Sequence, residues 1–581
     1  MIDALTAFSS ALVATPVMVF LAAAVLVALL PRSPIAAAVT IIAPVVSAWW
    51  VWTSLPGTYG LLNYGELELA LMRNDKFATL FGYAFSLAAF LIAIYAWHVR
   101  DKVQQIATLL YAGSAIGAVF AADLITLFVY WEATALTSVF LIWARRTEGA
   151  YATGMRYLIV QIGSGVILVA GIAIHYQATG SIALDGLSGS GPAGWNIGIW
   201  LILLAFGVKC AFPLLHTWLK DAYPAATVVG TVTLSAFTTK MAVYCLARAF
   251  PGTEMLIYIG AAMTVFPIIF AEIENDLRRV LAYSLNIQLG FMVVGIGVGT
   301  ELSLNGTAAH AFASVLYKGL LFMTLGAVLF RTGTSKATDL GGLYRTMPYT
   351  MICCVIGAAS ISAFPLFSGF VAKSLVFSAT AKESYPYVWA VLVFSSAAVL
   401  SHSGIKIPYF TFFAKDSGKR PAEAPPHMLL AMGLIALLCI YIGVFPDHLY
   451  ALLPHDVEYE PYTSAHILSQ LQLLMFAFLA FALLMRFGFF PAEKRVSTLD
   501  IDWLYRKVAP AVGHFGVMLT ATVWREMARG FRFLVGQGQR AVGQIYGLDG
   551  RAAGVLPTGT MVLWLAILLG AALAVNLLEV R

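Results

Sequence analysis

Nine ionisable side chains fall inside long apolar runs: Glu132, Arg156, Lys209, Lys240, His310, Lys318, Lys373, His402 and Lys406. A charged group at the centre of a bilayer costs about 2.5–3.5 kcal/mol on insertion scales, so each is a functional candidate until a quieter role accounts for it. One carboxylate against five lysines is not a set of structural ion pairs, because most of the amines have no acid to match. A buried lysine without a carboxylate partner is neutral part of the time, since desolvation disfavours its charged form. A row of amines exchanging between the two forms is a proton relay, and that chemistry is the central expectation. Glu132, Lys209, Lys240, His310, Lys318 and Lys373 are its expected members. His216, Lys406 and His402 are secondary candidates, with satisfied core groups or a snorkelling amine as the alternative. Arg156 lies where snorkelling to the interface accounts for it.

The elements that must position these groups are membrane helices. Of 581 residues, 60% are apolar and 11% charged, against about 25% charged in soluble domains. A chain of water-soluble domains is therefore excluded. Runs of about 18–25 apolar residues, the length needed to cross a bilayer, lie near 9–30, 34–55, 77–97, 104–122, 124–144, 151–175, 193–215, 226–250, 254–271, 280–299, 307–330, 349–380, 386–413, 428–450, 466–490 and 559–578. That is about 16 transmembrane spans in an all-α polytopic membrane protein. The runs are continuous rather than alternating, which favours helices over a barrel. The first run is full length with no basic stretch before it, so no cleavable leader is expected.

The net charge of +6 is small and scattered over short loops, so no nucleic-acid partner is expected. Cys210, Cys245, Cys353, Cys354 and Cys439 make no metal-ligand or disulfide spacing, and no cofactor or metal is expected. Basic residues cluster after spans 3, 5, 9, 11 and 13: Arg100 and Lys102; Arg145 and Arg146; Arg278 and Arg279; Arg331, Lys336 and Arg345; Lys415, Lys419 and Arg420. Loops 176–192, 300–306 and 451–465 have neither lysine nor arginine. Basic loops mark the cytoplasmic side, which puts both termini outside.

Residues 499–546 mix apolar and basic residues at helical spacing, with Arg506, Lys507, Arg525, Arg529, Arg532 and Arg540 against Glu526. They read as one or two amphipathic helices along the cytoplasmic interface, and Pro510 with several glycines argues against one straight rod. The expected organisation is therefore 1–103 for spans 1–3, 104–250 and 254–413 for two five-helix repeats, 428–490 for spans 14 and 15, the interfacial segment 499–546, and 559–578 for the last span.

The repeat is suggested by the tetrapeptide AFPL, at 211–214 beside Lys209 and again at 363–366 before Lys373. Interrupted spans at corresponding positions of two halves point to a transporter's ion site, because a proline frees backbone carbonyls that hold water or a cation.

Six segments resemble the antiporter-like subunits shared by Mrp-type cation/proton antiporters, respiratory complex I and membrane-bound hydrogenases. They are DLITLFVYWEATALTS (123–138), GVKCAFPLLHTWLKDAYPAA (207–226), DLRRVLAYSLNIQLGF (276–291), HAFASVLYKGLLF (310–322), DLGGLY (339–344) and FPLFSGFVAKS (364–374). The resemblance implies a fourteen-helix core with two inverted five-helix repeats, broken helices 7 and 12 and a hydrated polar axis. It places Glu132 and Lys209 as the span-5 and span-7 pair, Lys240 as the span-8 link, His310 and Lys318 in span 11, and Lys373 at the broken span 12.

YLIVQIGSG (157–165) has Gly-Ser where the longest subunits usually have Gly-Asp, which favours the D-type member of Mrp complexes; TLDIDWLYRK (498–507) does the same. Lys220 and Thr227-Val228 depart from the proline-rich family pattern, and spans 15 and 16 extend the core. The expected role is the proton-conducting subunit of a multisubunit Na⁺ or K⁺/H⁺ antiporter in a bacterial inner membrane, with other membrane subunits as partners. The alternatives are a pumping subunit of a redox-driven complex or the membrane partner of an inorganic-carbon uptake complex.

Overall fold

The computed structural model describes residues 15–65, 67–189, 191–488, 500–547, 550 and 558–578. The start of the first expected span (9–14) and the end of the fifteenth (489–490) lie outside these residues. The chain divides into two units, Met1–Asp500 and Ile501–Arg581.

In the first unit the helices are α1 (Val17–Leu29), α2 (Pro34–Thr53), α3 (Lys76–Tyr95), α4 (Lys102–Phe120), α5 (Leu124–Trp143), α6 (Glu148–Thr179), α7 (Ile197–Lys209), α8 (Thr217–Ala225), α9 (Val228–Ala236) and α10 (Thr238–Ala249). They continue as α11 (Glu254–Ile273), α12 (Leu277–Val298), α13 (Glu301–Thr332), α14 (Pro348–Ile361), α15 (Ser368–Lys382), α16 (Pro386–Val399), α17 (Pro426–Val444) and α18 (Ser464–Arg486). Among the described residues, thirteen helical segments are long and apolar enough to cross a membrane. The short apolar helices α1, α7 and α14 account for the other three expected spans.

Helix starts follow from short polar caps. Asp75, Asp101, Asp123, Thr147, Asn196, Thr227, Asp276, Thr300 and Thr463 each accept a first-turn backbone N–H that no carbonyl reaches. The core lies along α12 and α13. Every residue of α12 except Arg279 and Val298 is buried, and α13 is buried from Thr307 to Val328. Rim helices bury one face only, and α18 buries just Leu474 and Phe481.

Three features depart from plain spans. A β-hairpin, β1 (Gly57–Tyr64) paired antiparallel with β2 (Leu67–Asn74), fills the loop after α2. It is tied down by Ala70 N–H donating to Asp123 Oδ2 at 2.8 Å and by Arg73 pairing with Asp185. Span 8 is interrupted at Phe237, between α9 and α10. Its Thr233 and Ser235 hydroxyls bond Val229 and Val232 carbonyls, competing with the helix ladder. Span 13 leaves α16 through two π-helical turns, Leu400–Ile405 and Tyr409–Phe413.

In the second unit, a π-helical turn at Leu504–Val508 leads into α19 (Ala509–Tyr546), one uninterrupted 38-residue helix. Pro510 therefore does not break the rod. It directly follows the π-helical turn, whose wider spacing accommodates a residue with no N–H to donate. The last helix, α20, is Thr558–Leu578.

Candidate functional site

Two spans are broken by the same backbone device. Ala211 and Leu214 have φ of 60° and 71°, and Ala363 and Leu366 have 57° and 74°. The left-handed region costs an L-residue roughly 1–2 kcal/mol, so a run of four such residues at two matching breaks marks a built feature. The hydrogen bonds match as well. Phe212 N–H reaches Gly207 O and Phe364 N–H reaches Ala359 O, while Leu215 N–H to Phe212 O is repeated by Phe367 N–H to Phe364 O. The breaks of spans 7 and 12 therefore match in backbone as well as in sequence, five crossings apart. An odd number of crossings reverses direction, so the second break is inverted relative to the first.

Both leucines are exposed, at 64% and 55%, so their side chains contribute little. Leu366→Gly is expected to leave thermal stability within about 1 kcal/mol of the parent, because relief of the strained φ offsets glycine's entropy. Leu366→Val should lose about 1–3 kcal/mol, since a β-branched residue resists positive φ. Melting curves of the solubilised protein separate the two.

Each break leaves carbonyls without helical partners, and amines take them. Lys373 Nζ, on α15, donates back to Ile361 O at the end of α14 at 2.7 Å. Lys240 Nζ donates to Ser235 O beside the Phe237 interruption, also at 2.7 Å. A cation at the C-terminal end of a half-helix also meets the negative end of its dipole. Lys318 Nζ, on α13, donates to Leu281 O on α12 at 3.3 Å. All three amines are fully buried.

Lys209 ends α7. Its Nζ donates to Trp131 O and, at 2.8 Å, to Thr134 Oγ1, and lies 4.4 Å from the centre of the Trp131 ring. Trp131 is itself fixed: its Nε1–H donates to Ser164 Oγ, and that hydroxyl donates to Ala205 O. Glu132 is the next residue, yet no ion pair within 4.0 Å joins it to Lys209. Its Oε1 is buried with no hydrogen-bond partner among the described residues. The carboxylate instead lies against Gly165 of α6, where a Cβ would fall 1.4 Å from Oε1. The expected pair is thus adjacent but open.

His310 Nε2 is 3.0 Å from Gln288 Oε1 and 2.8 Å from the Tyr317 hydroxyl, with Nδ1 lacking a partner among the described residues. Glu132 and Lys209 lie within electrostatic range of each other. Lys240 and Lys373 each lie within range of Lys318 and of His310, and His402 within range of Lys318 and Lys373. Lys240, Lys318, His310, Lys373 and His402 are thus neighbours, and Lys209 neighbours Glu132.

The secondary candidates divide. His402 is fully buried in the first π-helical turn of span 13, and neither ring nitrogen has a partner among the described residues. Lys406 is fully buried rather than snorkelling, and donates to Ala271, Glu272 and Glu274 carbonyls at the end of α11, a helix-capping role. His216 lies against Asp500. Arg156 is exposed and bonds Thr153.

Sequence reasoning missed Gln288, Tyr317, Trp131 and Thr134, which are uncharged and unremarkable as residue types. It also missed Gly165, whose value lies in lacking a side chain. Unpartnered buried polar atoms add a further mark: both ends of the Gln161 and Asn286 amides, Gln288 Nε2 and Ser362 Oγ have no partner among the described residues. Each would cost about 1–3 kcal/mol if left unsatisfied.

The fold defines a polytopic, antiporter-like membrane subunit. Residues 121–401 match the family model described as "NADH:quinone oxidoreductase/Mrp antiporter, TM". The chain is 31% identical to the A/B component of a probable K(+)/H(+) antiporter of Rhizobium meliloti (strain 1021), over 67% of this chain and 42% of that one. It is 30% identical to NADH-quinone oxidoreductase subunit N of Desulforudis audaxviator (strain MP104C), over 58% of this chain and 72% of that one. Among solved structures, the Mrp complex from Dietzia sp. DQ12-45-1b shares the fold, with a TM-score of 0.72 and 24% identity over 97% of this chain and 63% of that chain. The chain belongs to the NADH:quinone oxidoreductase/Mrp antiporter membrane-subunit family. It spans less than half the length of the Rhizobium meliloti relative.

Proposed function

We propose that this chain is the D-type, proton-conducting subunit of a multisubunit Na⁺ or K⁺/H⁺ antiporter, seated in a bacterial inner membrane with both termini outside. The observation that carries the reading is the row itself: Lys209, Lys240, Lys318 with His310, and Lys373, each amine held by a neutral oxygen rather than by a carboxylate. Neutral acceptors let an amine give up its proton, which a tight carboxylate partner would oppose. The unpartnered amides and imidazoles beside the row are sites for bridging water, since buried polar groups are normally satisfied.

Lys209 is the switch. In the open arrangement it rests on Trp131 O and Thr134 Oγ1, and in the closed one it meets the Glu132 carboxylate. Closing the pair loads the amine, and opening it releases the proton toward Lys240 and on through Lys318 and His310 to Lys373. One charge crossing 100 mV is worth about 2.3 kcal/mol. Breaking a buried ion pair involves about 3–5 kcal/mol, so one pair is enough to gate the transfer.

In everted vesicles carrying the full complex, Lys209→Ala and Glu132→Gln are each expected to cut Na⁺- or K⁺-dependent pH change at least tenfold, about 1.4 kcal/mol of barrier. Unchanged exchange in either variant contradicts the reading.

The likeness to NADH-quinone oxidoreductase subunit N supports a second reading, the pumping subunit of a redox-driven complex. The two separate on energy source. An antiporter exchanges ions under an imposed gradient alone, whereas a redox pump moves protons only when its electron donor is oxidised.

A further inference from the structure

Apart from the row, a second buried polar cluster joins the interrupted span 7 to the segment after α18. Asp500 Oδ2 lies 3.1 Å from His216 Nε2, 3.0 Å from Lys220 Nζ and 2.9 Å from the Tyr283 hydroxyl. All four residues are more than nine-tenths buried. His216 follows the break that Lys209 opens and leads directly into α8, while Lys220 is one turn further along α8 and Tyr283 is on α12. The Phe266 ring lies 4.5 Å from the imidazole.

An ionised carboxylate only accepts, so the imidazole must carry its hydrogen on Nε2 to make this bond. In the neutral imidazole, Nδ1 therefore holds the lone pair. A carboxylate that orients a histidine through one ring nitrogen leaves the other as a directed base. Nδ1 here is buried and has no partner among the described residues. Lys220 and Tyr283 add donors to the same oxygen and keep it pointed at the imidazole.

We infer that His216 is the proton-uptake base beside the span 7 break, with Asp500 as its positioning residue. A proton taken at Nδ1 from water gives a transient imidazolium that Asp500 stabilises. Release from Nδ1 toward the break restores the same neutral tautomer, so no net proton is held. The inference rests on the relay reading, because uptake at His216 matters only if protons continue to Lys209.

The test uses the full complex in everted vesicles, with rates expressed per assembled complex and measured in H₂O and D₂O. His216→Gln keeps an amide donor for Asp500 but has no base. It is expected to slow exchange at least tenfold and to enlarge the solvent isotope effect, because proton uptake becomes limiting. Asp500→Asn, which no longer fixes the tautomer, should slow exchange severalfold with the cation KM unchanged.

A latch that merely holds the tail would reduce assembled complex in both variants but leave rate per complex and isotope effect as in the parent; that result overturns the inference. Lys209→Ala in the same experiment separates the two readings. If it is inactive while His216→Gln is fully active, uptake occurs elsewhere and the relay stands. If both are fully active, the relay itself is wrong.

Discussion

Lys240→Met is expected to abolish proton-coupled cation exchange, with a loss of at least a hundredfold, about 2.7 kcal/mol of barrier. The amine neighbours Lys318 and His310, and in the proposed relay it receives the proton from Lys209. Removing it deletes the proposed link between Lys209 and the Lys318–His310 pair. Methionine preserves volume, but Ser235 O loses its donor, a penalty of about 1–3 kcal/mol that appears in melting curves. Arg156→Gln is the control, because Arg156 is exposed and outside the row, and it should exchange ions at the parental rate. Ion-dependent quenching of a pH dye in vesicles, scaled to assembled complex, reads both. Exchange by Lys240→Met above a tenth of the parental rate would mean that protons take another route.

Gly165→Ala is expected to be nearly as damaging, although it adds one methyl group to a membrane helix. The new Cβ would lie 1.4 Å from Glu132 Oε1 and 2.4 Å from its carboxyl carbon, with no backbone atom among its nearest contacts. The helix therefore accepts alanine, and the carboxylate must move. Stability should stay within about 1 kcal/mol, since alanine is the better helix former. Exchange should fall at least tenfold, because Glu132 is displaced from the turn that holds Lys209. Ser164→Ala, one residue away, deletes the bond that fixes Trp131 and should give a smaller loss. A Gly165→Ala complex that exchanges at full rate would show that the position of this carboxylate is immaterial.

The helices, their order and the buried amines are legible in the sequence because membrane burial makes each charged residue conspicuous. Lys209, Lys240, Lys318 and Lys373 stand out against apolar neighbours, and the AFPL repeat marks both breaks. What could not be read is whatever depends on a neighbour distant in sequence. The third interruption, at Phe237, arises from threonine and serine hydroxyls that bond their own helix, an effect hidden in an apparently continuous run. The hairpin at 57–74 was invisible because short strands there only cap the bundle. Lys406 looks like a relay lysine by burial alone, and only its three carbonyl partners at the end of α11 reveal a cap. Asp500 is an ordinary acid in a polar tail until the fold sets it against His216.

Direct sight of water in the row is the decisive measurement. A cryo-EM map of the complex in lipid, at a resolution where single waters are visible, should show a continuous hydrogen-bonded line from Lys209 through Lys240, Lys318 and His310 to Lys373, with water on the Gln161 and Asn286 amides. Dry apolar packing between any two of those amines, in every state captured under an imposed ion gradient, would contradict the account.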